Sequence, residues 1–582
     1  MKKRRKKSAS LFHEQQVDAM FTTLRELVRR DLREPLTGLP EGAWEFVRSY
    51  QNTSIGKKFI YSGSNPQTRQ SLAYEKFGGI NAHIRDVNSS FAPPIHERFS
   101  RENSFIQNRL VLARRYMSAI LGDFSVEEWF QRCKTSSGAS IGVSYADTSP
   151  EAKFKYPISC TPDALDLFKS YLAFDHRLKA SIELLNVGSD LKSERFRLVE
   201  SSRATTVPKS FEIDRMIAIE PTANMYLQLG LMEIFYDRLR SFGIDVTRQP
   251  DRHKYLARKG SIDGSLATID FSSASDCVSI ELLRYLLPKK WFHLVERLRC
   301  PSMSLNGRDV KLEMISTMGN ATTFPLETLV FYTLGCACIQ LARYPRGTLP
   351  ELDPRRRVYD LISVFGDDCI LPTEHAVDFI RLTEGVGFIV NKEKSFYDYQ
   401  PGFRESCGGD FLHGCDVRPF FIERPASLSK ASIESWLYLC VNKVLKKYIL
   451  YFGPVNYIYE KHALRYLFRK LKEIRKHPFA VPPSFPEDAG INEHDARLPR
   501  CYDISLYRPA ISQHGNISFL YNSFVYRKKK ESNDDLRYAI LLKRKSYVSE
   551  KKRTKWEISI RRKGGYLVAR GSTVHWTWPY DH

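Results

Sequence analysis

An α+β fold is the class this sequence predicts. Residues 206–424 carry short β-prone runs separated by helical segments, and helical periodicity dominates before and after them. At 582 residues the chain exceeds one ordinary hydrophobic core, so several subdomains are expected. With 42% apolar and 27% charged residues it has enough to bury to fold rather than stay disordered.

The elements follow in order. After the basic opening MKKRRKKSAS, the residues Val17, Met20, Phe21, Leu24, Leu27 and Val28 recur at helical spacing until Pro35 ends the pattern. The Glu, Asp and Arg within residues 11–33 exclude a secretory apolar region there. Residues 36–203 mix loops such as FAPPIHERFS with helical stretches such as 105–121, without a repeat or low-complexity tract. The runs RMIAIE, SLATIDFS and VYDLISVFGDDCILP then read as strands, and 223–242 and 324–342 as helices. The apolar stretch 328–342 is broken by Thr333, Gly335 and Gln340 and falls short of the ~20 residues a bilayer requires, so it predicts a buried helix. Helical patterning resumes at 426–452 and 459–476, and the Pro-rich HPFAVPPSFPED marks a boundary. Near the end, WEISIRRKGGYLVAR predicts a hairpin turning at Gly564-Gly565.

Charge narrows the function. There are 89 Lys and Arg against 66 Asp and Glu, a net charge of +23 and a pI near 9.4. Such a balance predicts a polyanionic partner, RNA or DNA before a membrane surface. The basic segment 521–582, with Tyr526, Tyr538, Tyr547, Trp556, Trp576 and Trp578 interleaved, offers cations for phosphates and rings for bases, although the same rings could pack a small sheet. Eleven cysteines without regular spacing fit reduced thiols in a cytosolic compartment.

The chemistry is concentrated in carboxylates. In LISVFGDDCIL two apolar runs flank Gly366-Asp367-Asp368, which predicts a hairpin with two acids at its tip. Adjacent aspartates between hydrophobic strands repel each other and are costly unless a cation binds. An isolated acidic turn would be equally well explained by Asp's turn preference. A second site decides: in SLATIDFSSASD a buried-type strand ends at Asp270. Three carboxylates from two strands could hold two Mg²⁺ ions ~3.5–4 Å apart, the arrangement an in-line phosphoryl displacement uses.

The order of motifs resembles the palm of viral RNA-dependent RNA polymerases, and specifically the replicases of the single-stranded RNA bacteriophages. VPKSFEIDRMIAIEP is similar to the family's basic fingers motif, and GSLATIDFSSASD to its first palm motif. EMISTMGNATTFPLE, VFGDDCILP, GFIVNKEKSF and FRESCGGDFLHGCDVRPFF resemble the second to fifth. The match runs over residues 206–424 and is faint on either side.

The resemblance implies a right hand: mainly fingers in residues 1–262, palm in 263–424 with part of 276–314 packed on the fingers, and a thumb with a basic region in 425–582. It makes Asp270, Asp367 and Asp368 the metal ligands and adds Lys209 and Arg215 as cations for the incoming triphosphate. Arg215 can fork two phosphate oxygens, whereas Lys209 acts as a point charge. Asp276, with Asn320 as partner, falls at the position that reads the ribose 2′-hydroxyl. Lys394, or alternatively Lys392, is the candidate acid for the pyrophosphate leaving group. Gly319 allows close backbone approach in the STMGN loop. Phe365 departs from the family's usual Tyr. Cys407, His413 and Cys415 lack a fourth ligand at zinc spacing.

The expected activity is template-directed RNA synthesis with Mg²⁺, for which Mn²⁺ could substitute. RNA and NTPs are the expected partners, with host translation elongation factors and a ribosomal protein implied by resemblance alone, no membrane, and a bacterial cytoplasm as the setting. A reverse transcriptase and a non-catalytic RNA-binding or packaging protein are the alternatives.

Overall fold

The computed structural model describes residues 13–91, 104–143, 148–187, 194–343, 361–453, 456–481 and 486–492, with the backbone of strands at 508–511, 517–526 and 566–573. It is a mixed helix and sheet protein. The first apolar stripe folds as the helix Glu14–Asp31, burying Val17, Phe21, Leu24 and Val28. The other periodic stretches form helices Ser104–Leu121, Thr222–Ser241, Thr323–Arg343, Lys430–Phe452 and His462–Ile474.

The sheet that positions the site has three antiparallel strands in the order Leu266–Ile269, Asp368–Pro372, Ser363–Phe365. Ile269 pairs with Cys369, and Phe365 with Asp368 across the turn. Gly366 takes φ +64°, a conformation suited to glycine, and an added Cβ would also lie 2.6 Å from the Phe324 ring. Behind the sheet runs Thr323–Arg343, whose Gly335 allows Ile362 to come so close that a Cβ would meet its Cδ1 at 1.9 Å. This helix is apolar and long enough to span a bilayer, but it is buried among protein side chains because both the sheet and Ser104–Leu121 pack on it.

A second sheet has the order Asp214–Ile219, Ser201–Pro208, Ser302–Leu305, Arg308–Lys311. It joins two stretches separated by about a hundred residues through the parallel register Ser201 to Ser302. The strands Phe403–Ser406, Gly409–Leu412 and Cys415–Asp416 form a third, antiparallel sheet.

Two apolar clusters hold the described residues together. One gathers side chains from Phe77 to Val390. The other combines residues 17–59 with residues 412–491, so the first helices pack on the last ones. Asp31, fully buried, ties them: its carboxylate accepts from the Tyr448 hydroxyl at 2.8 Å and from the backbone N–H of His462 and Ala463, both at 2.9 Å, where His462–Ile474 begins. A carboxylate at the first amides of a helix satisfies donors that have no partner within the helix. The strand Tyr566–Thr573 pairs with Ile517–Tyr526. The turn expected at Gly564-Gly565 and the residues Tyr538, Tyr547, Trp556, Trp576 and Trp578 lie outside the described residues.

Candidate active site

The register of the three-stranded sheet brings the acids together. Asp270 follows the end of its strand, and Asp368 begins the neighbouring one, beside the turn that holds Asp367. The turn is fixed from the helix behind it: Gly366 N–H donates to Thr328 Oγ1 at 3.0 Å, and Phe365 packs edge-on against Phe324 with centroids 4.8 Å apart.

Each carboxylate has its own support. Asn391 Nδ2 donates to Asp270 Oδ2 at 2.7 Å, while Ser395 Oγ accepts the Asp270 N–H at 3.1 Å. Asp368 is held by the third sheet, with Ser406 Oγ donating to Oδ1 at 3.3 Å and Cys407 N–H to Oδ2 at 3.2 Å. Burial raises the pKa of all three acids. For Asp368, burial followed by repulsion from Asp367 and Asp270 pushes it up to about 7. Half-buried, mutually repelling carboxylates are a donor set that a hard divalent cation fits, because it relieves both the desolvation and the repulsion.

The three do not close on one point. Among the described residues, the set of possible ligand atoms that all lie within 4.8 Å of one another is Asp31, Glu34 and His462. In the Asp31 group, the carboxylate is engaged by amides and Glu34 by Lys461.

The cations expected to meet a triphosphate face these acids. Lys209 and Arg215 lie on either side of the hairpin that joins Ser201–Pro208 to Asp214–Ile219. The charges of both offset part of the pKa rise at Asp367, after a hydrogen bond from the Asp367 backbone itself. Desolvation, then repulsion by Arg215, Lys76 and Lys394, lowers the Lys209 pKa. Among the described residues neither forms an ion pair within 4.0 Å. Glu220, close in sequence to both, is buried and accepts from Gln228 Nε2 at 3.2 Å. Lys394 Nζ lies 3.7 Å from Glu405 Oε1. Burial alone would lower its pKa, but Glu405, Asp270 and Asp368 together raise it. Lys392 is exposed.

Asp276 ends the short turn Ala274–Asp276, and burial raises its pKa to about 6 despite a hydrogen bond from the Met318 backbone. The expected partnership with Asn320 is not among its hydrogen bonds. Asn320 Oδ1 accepts instead from Thr322 N–H at 2.9 Å and its hydroxyl at 2.8 Å, because a short Asx turn is available locally. Gly319 has φ +121°, and a Cβ there would lie 2.1 Å from the Ala218 carbonyl oxygen. The Cys407 thiol, weighed earlier for zinc, sits 3.5 Å from Asp368 Oδ2.

Sequence reasoning missed the roles of Asn391, Ser395 and Ser406, which lie inside the quoted motifs, and missed Thr328 and Lys76, whose residue types are common. It also missed Glu327, which did have a local signal: a single acid in the apolar run TFPLETLVFY. Glu327 is buried, both its oxygens lie 3.4 Å from Ser275 Oγ, and burial followed by the charge of Asp367 raises its pKa strongly.

Residues 15–444 match the family model described as RNA replicase, beta-chain. The chain is 36% identical over 356 residues to the RNA-directed RNA polymerase subunit beta of Escherichia virus Qbeta, covering 61% of this chain and 55% of that protein. It is 33% identical over 443 residues to the corresponding subunit of Enterobacteria phage SP, covering 75% and 69%. With the beta chain of Escherichia phage MS2 the identity is 35% over 373 residues, 62% of each. The matched part thus spans about half to two thirds of these relatives. A solved structure, the BmCPV RNA-dependent RNA polymerase at elongation state, aligns over 62% of this chain and 33% of that one, with 10% identity and a TM-score of 0.33, too loosely to carry an argument. With a family model matched over most of its length and relatives at this level of identity, the chain belongs to the RNA replicase beta-chain family.

Proposed function

We propose that this chain is an RNA-directed RNA polymerase that replicates the single-stranded RNA genome of a bacteriophage inside its host. The observation that carries the proposal is the gathering of three half-buried aspartates at one end of a sheet, within range of the charges of Lys209, Arg215 and Lys394. An acidic turn of a packaging protein would need neither the second carboxylate strand nor the converging cations.

In this reading Asp270, Asp367 and Asp368 hold the divalent cations. Mg²⁺, or Mn²⁺ in its place, would when bound make the RNA 3′-hydroxyl a better nucleophile and offset charge on the triphosphate. Lys209 and Arg215 draw in and orient the triphosphate, Arg215 by a two-pronged contact. The 3′ oxygen forms a bond to the α-phosphorus as the bond to the bridging oxygen breaks, and pyrophosphate leaves. Lys394, which neighbouring acids keep protonated, donates a proton to that leaving group. Asp276 accepts from the ribose 2′-hydroxyl, favouring ribonucleotides over deoxynucleotides.

The same reading assigns a right hand: fingers mainly in residues 1–262, palm in 263–424, thumb in 425–582. Two features refine it. Residues 17–59 share a core with 412–491 and so brace the thumb, and the strands at 302–311 belong with the sheet of the fingers. Template and product RNA occupy the hand, and host elongation factors and a ribosomal protein join by family inheritance.

The test is template-directed incorporation by purified protein with Mg²⁺, with and without bacterial extract. Asp367→Asn and Asp368→Asn should abolish incorporation while RNA binding persists. Preferred use of dNTPs would favour a reverse transcriptase. RNA binding without any incorporation in extract would favour a packaging protein.

A further inference from the structure

Three residues from three elements form a hydrogen-bonded line into the site. His253 lies on the helix Gln249–Asp263 and is fully buried. Its Nδ1 is 2.8 Å from Ser406 Oγ, and Ser406 Oγ is 3.3 Å from Asp368 Oδ1. Neither His253 nor Ser406 lies in the acidic motif that the chemistry uses. We infer that His253, acting through Ser406, is a positioning residue that fixes the Asp368 carboxylate for its cation; the inference rests on Asp368 being a metal ligand.

The direction of the line follows from proton counting. With a cation bound Asp368 is ionised and can only accept, so the single Ser406 hydroxyl proton goes to Oδ1. Ser406 must then accept from His253, which places the histidine proton on Nδ1 and leaves a lone pair on Nε2. Among the described residues Nε2 is buried and has no hydrogen-bond partner. Its neighbourhood includes the ring of Phe365, edge-on with centroids 6.4 Å apart. Burial, with the charge of Arg252, lowers the His253 pKa to about 3, in keeping with a neutral ring.

A buried histidine that bonds through one nitrogen has that bond as its main polar anchor, so Nδ1 and Ser406 orient one another. With Oδ1 held by Ser406 and Oδ2 by the Cys407 amide, each oxygen of Asp368 has a hydrogen bond that restrains the carboxylate's rotation. Hydrogen-bonding groups behind a ligand set its orientation, and their loss typically weakens metal binding about 10–100-fold.

The test uses the full chain and two readouts: Mn²⁺ binding followed by electron paramagnetic resonance, and the Mg²⁺ dependence of nucleotide incorporation. His253→Leu and Ser406→Ala should each weaken Mn²⁺ binding about tenfold or more and raise the Mg²⁺ needed for half-maximal rate, with NTP KM little changed. His253→Asn, whose amide can place a donor near the Nδ1 position, should restore most of both. The double variant should be no worse than the worse single one, since both cut one line. Unchanged metal dependence in Ser406→Ala, or a loss in His253→Leu that Ser406→Ala does not share, would overturn the relay. Should His253→Leu fail to fold, Ser406→Ala against Ser406→Thr decides alone. A wild-type protein that binds Mn²⁺ but incorporates nothing would sink the polymerase reading, and the binding arm would still test the relay.

Discussion

Thr328 holds Gly366. A hydroxyl on the buried helix behind the sheet accepts the amide of the turn that carries Asp367 and Asp368, at 3.0 Å. The acidic tip is therefore supported from below by a helix and, at Asp368, from the side by the Phe403–Leu412 hairpin.

Removing that acceptor should loosen the turn. Thr328→Val keeps the shape of the side chain but leaves a buried amide unpaired, at a cost of about 1–3 kcal/mol. Denaturant unfolding should register that loss, and single-nucleotide incorporation should fall further than in Thr328→Ser, which keeps the oxygen.

Gly319→Ala should be worse than an ordinary loop substitution. Its φ of +121° disfavours any side chain, and the new Cβ would lie 2.1 Å from the backbone oxygen of Ala218, which cannot rotate away. Unfolding midpoints should drop, and a glycine-to-alanine change at Gly142, where a Cβ meets nothing within 4 Å, should be milder despite its own φ of +86°.

Glu327 should tolerate loss of its charge but not a reversed one. Burial and the charge of Asp367 favour its neutral form, so Glu327→Gln copies the state already present and should keep stability and incorporation near those of the parent. Glu327→Lys would bury a cation that competes with the site's divalent ions for the charge of Asp367, Asp276 and Asp368, and should abolish incorporation. A severe activity loss in the glutamine variant would show that a charge at 327 is required.

Glu220 should make stability depend on pH in a particular direction. Burial raises its pKa from 4.5 to about 6, against hydrogen bonds from Gln228 and Cys300 and the charge of Arg299. The folded chain then retains a proton that the unfolded chain releases between these values. The contribution is complete below pH ~4.5 and disappears as pH rises through ~6, worth about 2 kcal/mol in all. Glu220→Gln should remove that part of the slope when unfolding free energies at pH 4.5 and 7 are compared.

Much of the local structure was legible. The run 105–121 became Ser104–Leu121, 324–342 became Thr323–Arg343, and 223–242 became Thr222–Ser241, because apolar residues at helical spacing can be buried together only on a helix. Asp270 at a strand end and the acids at a turn were legible for a similar reason: apolar β-prone runs stop where charge and glycine begin. Less legible were the residues that support the acids. Asn391 and Ser395 lie more than a hundred positions from Asp270, and Ser406 lies as far from His253.

By itself, then, the sequence determined which segments are helices and strands, which faces they bury, and where the acidic residues cluster. Only the tertiary structure decided that the first helices pack with residues 412–491, that Asn320 engages Thr322, and which neighbour holds each oxygen of Asp368. The physical reason is one of range. Periodicity specifies that a face must leave water, and any apolar partner satisfies that requirement, whereas a hydrogen bond is directional and short and forms only after strand register and helix packing have set both ends in place.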